Sequence, residues 1–230
     1  MKYRYAWCAL TLMAPIASAS PIFDGYESYY ASQSGALFNA RDSKTLQSYS
    51  LYPDNTVQQG WEGIANGHRQ SVKVADGNIQ LNGRKLRLTR ARLFPGESTT
   101  PDDLGRGTEV YFANGYVCLE NTPSSASGTA ARHMAVYLIR TGSTPQLFKL
   151  PSLFASCLGI RRVGGDIAFP RVTYDYALQR DVPDGVVFTE YRLRGQGFVA
   201  TSRQVAARFV EAGNVYRFTI TSPQSTGEAP

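Results

Sequence analysis

The chain has 230 residues, 24 Lys and Arg against 18 Asp and Glu, and a formal net charge of +6. That length supports one full domain with a real core, or two small ones. So mild an excess of cations speaks to solubility and weak attraction to anions rather than to a nucleic-acid partner.

The first residues read as an export leader. Met1-Lys2-Tyr3-Arg4 is a short basic start, an apolar stretch runs from Ala6 to Ile16, and Ala17-Ser18-Ala19 offers a small-x-small cleavage site. Pro15 and the following Ser20-Pro21 suit a cleavage junction better than a buried helix. No other segment approaches the roughly 20 apolar residues needed to cross a bilayer. Cleavage near Ala19 removes Lys2, Arg4 and Cys8, lowers the net charge to +4, and predicts a periplasmic or extracellular protein. Two cysteines then remain, Cys118 and Cys157. In an oxidising compartment they are most simply one disulfide. Closing that loop contributes roughly 4 kcal/mol on the chain-entropy model. A reactive thiol is the weaker alternative, since no CxxC is present and only His68 and His133 could act as a base.

Residues 20–60 form a polar arm rich in tyrosine (Tyr26, Tyr29, Tyr30, Tyr49, Tyr52), with a short helix near 26–32, a strand near 46–51, or a packed irregular course. The arm meets a single antiparallel β domain, 61–220, near Pro53–Gly67, where turn formers accumulate. From Val72 two turn dipeptides set one register. Asp76-Gly77 places Val74 opposite Ile79 and Val72 opposite Leu81, and Asn82-Gly83 places Ile79 opposite Leu86. Val72, Val74, Ile79, Leu81, Leu86 and Leu88 then share a dry face, while Lys73, Gln80, Lys85 and Arg87 share a wet one. Asn114-Gly115 pairs Phe112 with Val117 and Val110 with Leu119, and turns Tyr111 and Cys118 to the reverse face. The same register opposes Glu109 and Glu120, an unfavourable pair unless that end frays or holds a cation.

Met134–Ile139 is apolar on both faces, as a strand covered on both sides should be. Further strands are expected at 147–150, at 167–178 with an interruption at Phe169-Pro170, and at 186–193. Gly213-Asn214 sets Phe209 against Phe218 and Ala207 against Ile220. Helix is scarce, and its best candidates here are 151–158 and 202–210, the second in competition with this hairpin. The fold class is therefore all-β, mainly antiparallel, a sandwich or barrel with little helix. Thr122–Ala130 reads as a flexible loop, and residues 221–230 as a disordered tail.

No catalytic signature emerges. Ser124, Ser125 and Ser127 precede His133 by six to nine residues, but neither GxSxG nor SxxK is present. Two histidines without HxH, HExxH or CxxC imply no metal or cofactor. Asp102-Asp103 and Asp181/Asp184 could touch a calcium ion, but the DxxDG spacing at 181–185 is explained by a turn before the next strand, helped by Pro183. Glu109 and Glu120, directly opposed, stand closer than the separation glycoside cleavage prefers. The densest feature is cationic. Residues 69–92 hold Arg69, Lys73, Arg84, Lys85, Arg87, Arg90 and Arg92 against Asp76 alone. Lys85 and Arg87 share the wet face, and a bulge near Thr89 would bring Arg90 and Arg92 to the same side. Lys73, Lys85, Arg87, Arg90 and Arg92 are thus the candidate binding residues of an exported, non-catalytic binding protein. Its partner would be an acidic protein, as for an inhibitor or immunity protein, or an anionic component of the cell envelope. An edge strand whose cations deter aggregation is the plainer explanation. Two rivals are a hydrolase built around His133 and a structural envelope component.

Overall fold

The computed structural model describes residues 20–39, 47–51, 58–75, 77–102, 104, 107–122, 127–176 and 181–221. The expected leader, Asp76, Asp103, Ser124, Ser125 and the tail beyond Thr221 lie outside them. Sixteen strands run in chain order among the described residues, with one α-helix.

After β1 (Ile22–Phe23) and α1 (Tyr26–Ser32), the chain completes one sheet before starting the next. The first is a meander of β2 (Gln47–Leu51), β3 (Gln58–Ala65), β4 (His68–Ala75), β5 (Asn78–Leu81) and β6 (Arg84–Arg87). The second contains β7 (Arg92–Leu93), β8 (Glu109–Ala113), β9 (Tyr116–Asn121), β10 (Ala135–Arg140) and β11 (Gln146–Lys149), in the order β7-β11-β10-β9-β8. The third contains β12 (Arg161–Val163), β13 (Asp166–Asp175), β14 (Gly185–Arg194), β15 (Gly197–Phe209) and β16 (Phe218–Thr221), with β1 returning to flank β16. Every pairing is antiparallel except β7 with β11.

The registers follow the turn residues. Val72 faces Leu81, Val74 faces Ile79 and Ile79 faces Leu86. Asn82 and Gly83 both take positive φ, 51° and 78°. A two-residue turn matched to strand twist requires this of both its central residues. Phe112 faces Val117 and Val110 faces Leu119. Phe209 faces Phe218 and Ala207 faces Ile220, although the link between them occupies Val210–Arg217 rather than two residues.

The second sheet is the middle layer. Val110, Phe112, Val117, Leu119, Ala135, Tyr137 and Ile139 pack on Trp61, Val72, Val74, Ile79 and Leu81 of the first sheet. From its other face Tyr111, Cys118, Val136, Leu138 and Phe148 pack on Ile167, Phe169, Leu193 and Phe198 of the third. This explains why β10 is apolar from Ala135 to Ile139. At Gly63, a Cβ would stand 2.2 Å from the Phe112 ring, so a glycine lets β3 press against β8. On the outside of the third sheet α1 buries Tyr26, Tyr29 and Tyr30 among Phe154, Phe188 and Phe218. The Tyr26 and Tyr30 hydroxyls donate to the carbonyls of Val215 and Phe154. Cys118 and Cys157 form a disulfide across a separation of 39 residues.

Four local expectations fail. Residues 202–209 are strand, because β14 and β16 hydrogen-bond both edges of β15. Residues 151–158 are not α-helix. Leu153 bridges His133, and Phe154 sits at φ 48°, outside any right-handed helix. β13 runs unbroken through Pro170, since β12 ends opposite Ala168 and leaves a margin where a missing N–H is tolerated. Thr89 is not in a bulge. Leu88–Arg90 is one 3-10 turn that keeps Leu88 buried.

Candidate functional site

The basic strand pair is positioned by the first sheet's register. Lys73, Gln80 and Lys85 stand side by side across β4, β5 and β6, on the face opposite Val72, Val74, Ile79 and Leu81. The 3-10 turn then does what a bulge was expected to do. Leu88 N–H donates to Gly77 O and Ala91 N–H to Leu88 O, so Leu88 stays inside while Arg90 is re-aimed. β7 crosses to the second sheet beside β11. Lys85, Arg87, Arg90 and Arg92 consequently line one shallow depression of about 470 Å³, with Leu86 and residues 144–147. Lys73 does not line it, because Gln80 of β5 stands between Lys73 and Lys85.

Among the described residues, no carboxylate lines this depression and none pairs with Lys85, Arg87 or Arg90. Arg84 donates to Ser143 O, tying the β5–β6 hairpin to the β10–β11 loop. Arg92 lies 6.0 Å from the Phe148 ring centre, and its Nη1 donates to Gln196 O at 3.1 Å. Arg140 lies 5.9 Å from the same ring and donates to Gly195 O at 2.8 Å and to Gln146 Oε1 at 3.0 Å.

A second arginine cluster has no counterpart among the residues singled out from the sequence. Glu190 is 3% exposed, at a register shift between Thr189 and Tyr191. Its carboxylate meets Arg192 at 3.0 Å, Arg161 at 3.2 Å and Arg203 at 3.6 Å. Asp166 pairs with Arg194 at 3.0 Å and Arg192 at 3.9 Å. Glu190, Arg192, Arg194 and residues 199–203 border a bay of about 380 Å³. The alternation of Glu190, Arg192 and Arg194 along β14 was the available signal. Arg161 and Arg203 arrive from other strands, and nothing local announces them.

Glu109 and Glu120 are opposed as expected, the ladder does not fray there, and a tyrosine reaches both carboxyls. The Tyr111 hydroxyl lies 2.7 Å from Glu109 Oε2 and 2.8 Å from Glu120 Oε1. A phenol has one proton, so both contacts are hydrogen bonds only when one carboxyl is protonated and donates to the phenol oxygen. Burial pushes the Glu120 carboxyl above its usual range, against the N–H of Cys157 and the hydroxyls of Tyr111 and Ser156, while the neighbouring Glu109 charge adds to the rise. The other oxygen of Glu120 accepts from Ser156 Oγ at 3.0 Å and from Cys157 N–H. This knot fastens the segment at Cys157 to β9 beside the disulfide, which is a structural use of paired acids.

His133 is exposed, with Nδ1 2.9 Å from Ser152 Oγ. Among the described residues, the hydroxyl beside it belongs to Ser152. Among the described residues no carboxylate hydrogen-bonds the ring. Asp102 pairs with Lys149 at 3.1 Å. Asp181 and Asp184 border a depression with Glu211, and among the described residues no group of three or more His, Cys, Asp or Glu is arranged to hold a metal ion. Among the described residues, no helix is long and apolar enough to cross a membrane. Comparison of the chain with protein-family models, curated proteins and solved structures returns no match.

Proposed function

We propose that the chain is an exported, non-catalytic binding protein that captures an anionic partner through the depression lined by Lys85, Arg87, Arg90 and Arg92. One observation carries this reading: four cations border a single concavity that, among the described residues, no carboxylate lines. Unneutralised like charges repel one another and weaken the fold slightly, so their retention is best accounted for by a ligand that supplies the missing negative charge. Leu86, Thr144 and Gln146 add an apolar floor and polar rim. The Cys118–Cys157 bridge supports an oxidising compartment, as does the leader-like segment ending at Ala19.

Retention on immobilised heparin, used as a polyanionic probe, tests the reading. The natural chain should elute at clearly higher salt than the triple variant Lys85→Glu/Arg87→Glu/Arg90→Glu. Equal elution of both, with unchanged circular dichroism, would overturn it.

The contact between His133 and Ser152 favours a second reading, hydrolysis. Turnover of an ester and peptide panel, lost in both His133→Ala and Ser152→Ala, would support it. Turnover unaltered in both variants would remove it.

A further inference from the structure

The two arginine clusters are not separate places on the molecule. Arg92, from the depression, donates to Gln196 O, and Arg140, held by Gln146 at the depression's rim, donates to Gly195 O. Gly195 and Gln196 form the tight link between β14 and β15, and the residues flanking it lead directly into the bay around Glu190. Arg194 ends β14 at this turn, and Arg192 lies two residues before it, about 7 Å along the strand. The bay has charge to spare. Arg161, Arg192, Arg194 and Arg203 face two carboxylates, Glu190 and Asp166. The Arg194 and Arg203 side chains are 59% and 55% exposed, and Ser202 is exposed beside them on β15.

We propose that the depression and the bay form one track for a linear polyanion, a polymer such as an acidic polysaccharide that carries a sulfate, phosphate or carboxylate on successive units. The track runs from Lys85 and Arg87, past Arg90 and Arg92, round the Gly195–Gln196 turn beside Arg140, to Arg194 and Arg203. It rests on the reading of the depression given above and extends it. A row of cations, broken by uncharged backbone and bending round a turn between sheets, suits a flexible chain with repeated charge. A folded acidic protein presents a convex surface that meets one bay and not both.

The experiment uses the full chain and two heparin oligosaccharides, a tetrasaccharide and a dodecasaccharide, measured by calorimetry at several salt concentrations. The longer should bind at least tenfold more tightly, because binding at the first bay makes binding at the second intramolecular. Arg194→Ala and Ser202→Glu should each weaken the dodecasaccharide three- to tenfold and leave the tetrasaccharide unchanged. Counterion release makes the salt slope a measure of contacts made, so removing Arg194 should lower it by about one. Lys85→Glu/Arg87→Glu should weaken both oligosaccharides.

Equal affinity for the two lengths would overturn the track. So would a dodecasaccharide affinity that neither Arg194→Ala nor Ser202→Glu disturbs. In either case a Lys85→Glu/Arg87→Glu variant that still loses affinity leaves the depression as a single-bay site. If that variant also loses nothing, the reading of the depression falls with the track. Two substitutions of different kinds, one deleting a cation and one adding an acid, guard against a folding defect in either.

Discussion

Arg161, Arg192 and Arg203 converge on Glu190, a carboxylate 3% exposed, while Lys85, Arg87 and Arg90 meet no carboxylate among the described residues. The two clusters contain similar side chains and lie on either side of one turn, yet their charges are put to different uses. Around Glu190 the guanidiniums satisfy an acid that would otherwise be buried alone, and their loss would be felt by the fold. In the depression the cations remain addressed to solvent, and their loss would be felt by whatever binds there. A count of basic residues does not separate these uses; the position of the acids does.

The contrast can be broken most sharply at its paired end. The Arg161 side chain is only 11% exposed. Glu190→Ala would leave it near the interior without its counter-charge, and should destabilise the protein by about 3–5 kcal/mol. Urea unfolding followed by tryptophan fluorescence checks this, and a loss well under about 1 kcal/mol would mean that water already neutralises the site.

A smaller, pH-dependent effect is expected at Glu120. Its folded-state pKa is raised. The stabilisation it contributes is therefore complete below the ordinary carboxylate value, about 4.3, and is lost as pH rises through the raised value. Glu109, Tyr111, Ser156 and the Cys157 N–H are the groups facing it. Glu120→Gln preserves a donor for the phenol oxygen and removes the titration. The variant should therefore lose the decline in melting temperature that the natural chain shows as pH rises above about 4.3. Parallel melting curves across that range in both proteins would count against the shared proton.

The least effect on folding belongs to the depression. Lys85→Gln/Arg87→Gln/Arg90→Gln should leave the urea midpoint unchanged or slightly higher, since among the described residues no carboxylate is orphaned and repulsion is relieved. A midpoint lowered as far as in Glu190→Ala would erase the distinction between the clusters. Together the three measurements rank the charges by what the fold requires of them.

Much of the architecture was legible from local pattern. Strand alternation has a period of two and a two-residue turn fixes the pairing, so dipeptides such as Asn82-Gly83 and Asn114-Gly115 specify register without knowledge of the rest of the chain. The two-sided apolar character of β10 announced a middle layer. β3 escaped notice because Gly60 and Gly63 interrupt its alternation, and the reason for Gly63, the Phe112 ring against it, comes from another sheet. Residues 202–210 have a helical apolar spacing, and strand won only because both neighbours were in place. Lys85, Arg87, Arg90 and Arg92 were found as a run, but their convergence on one depression depended on the 3-10 turn and on β7 crossing to β11.

By itself, then, the sequence determined the class of fold, the registers of its tight hairpins and the cysteine pair, because each depends on residues near in the chain or, for the cysteines, on there being so few to choose from. The tertiary structure alone decided which arginines are spoken for. Glu190, Arg161 and Arg203 are far apart along the polypeptide, and only the side-by-side order of β12 to β15 brings their charges within a few ångströms. Coulomb attraction falls off within that distance in water, so whether a cation is neutralised is a property of neighbours in space.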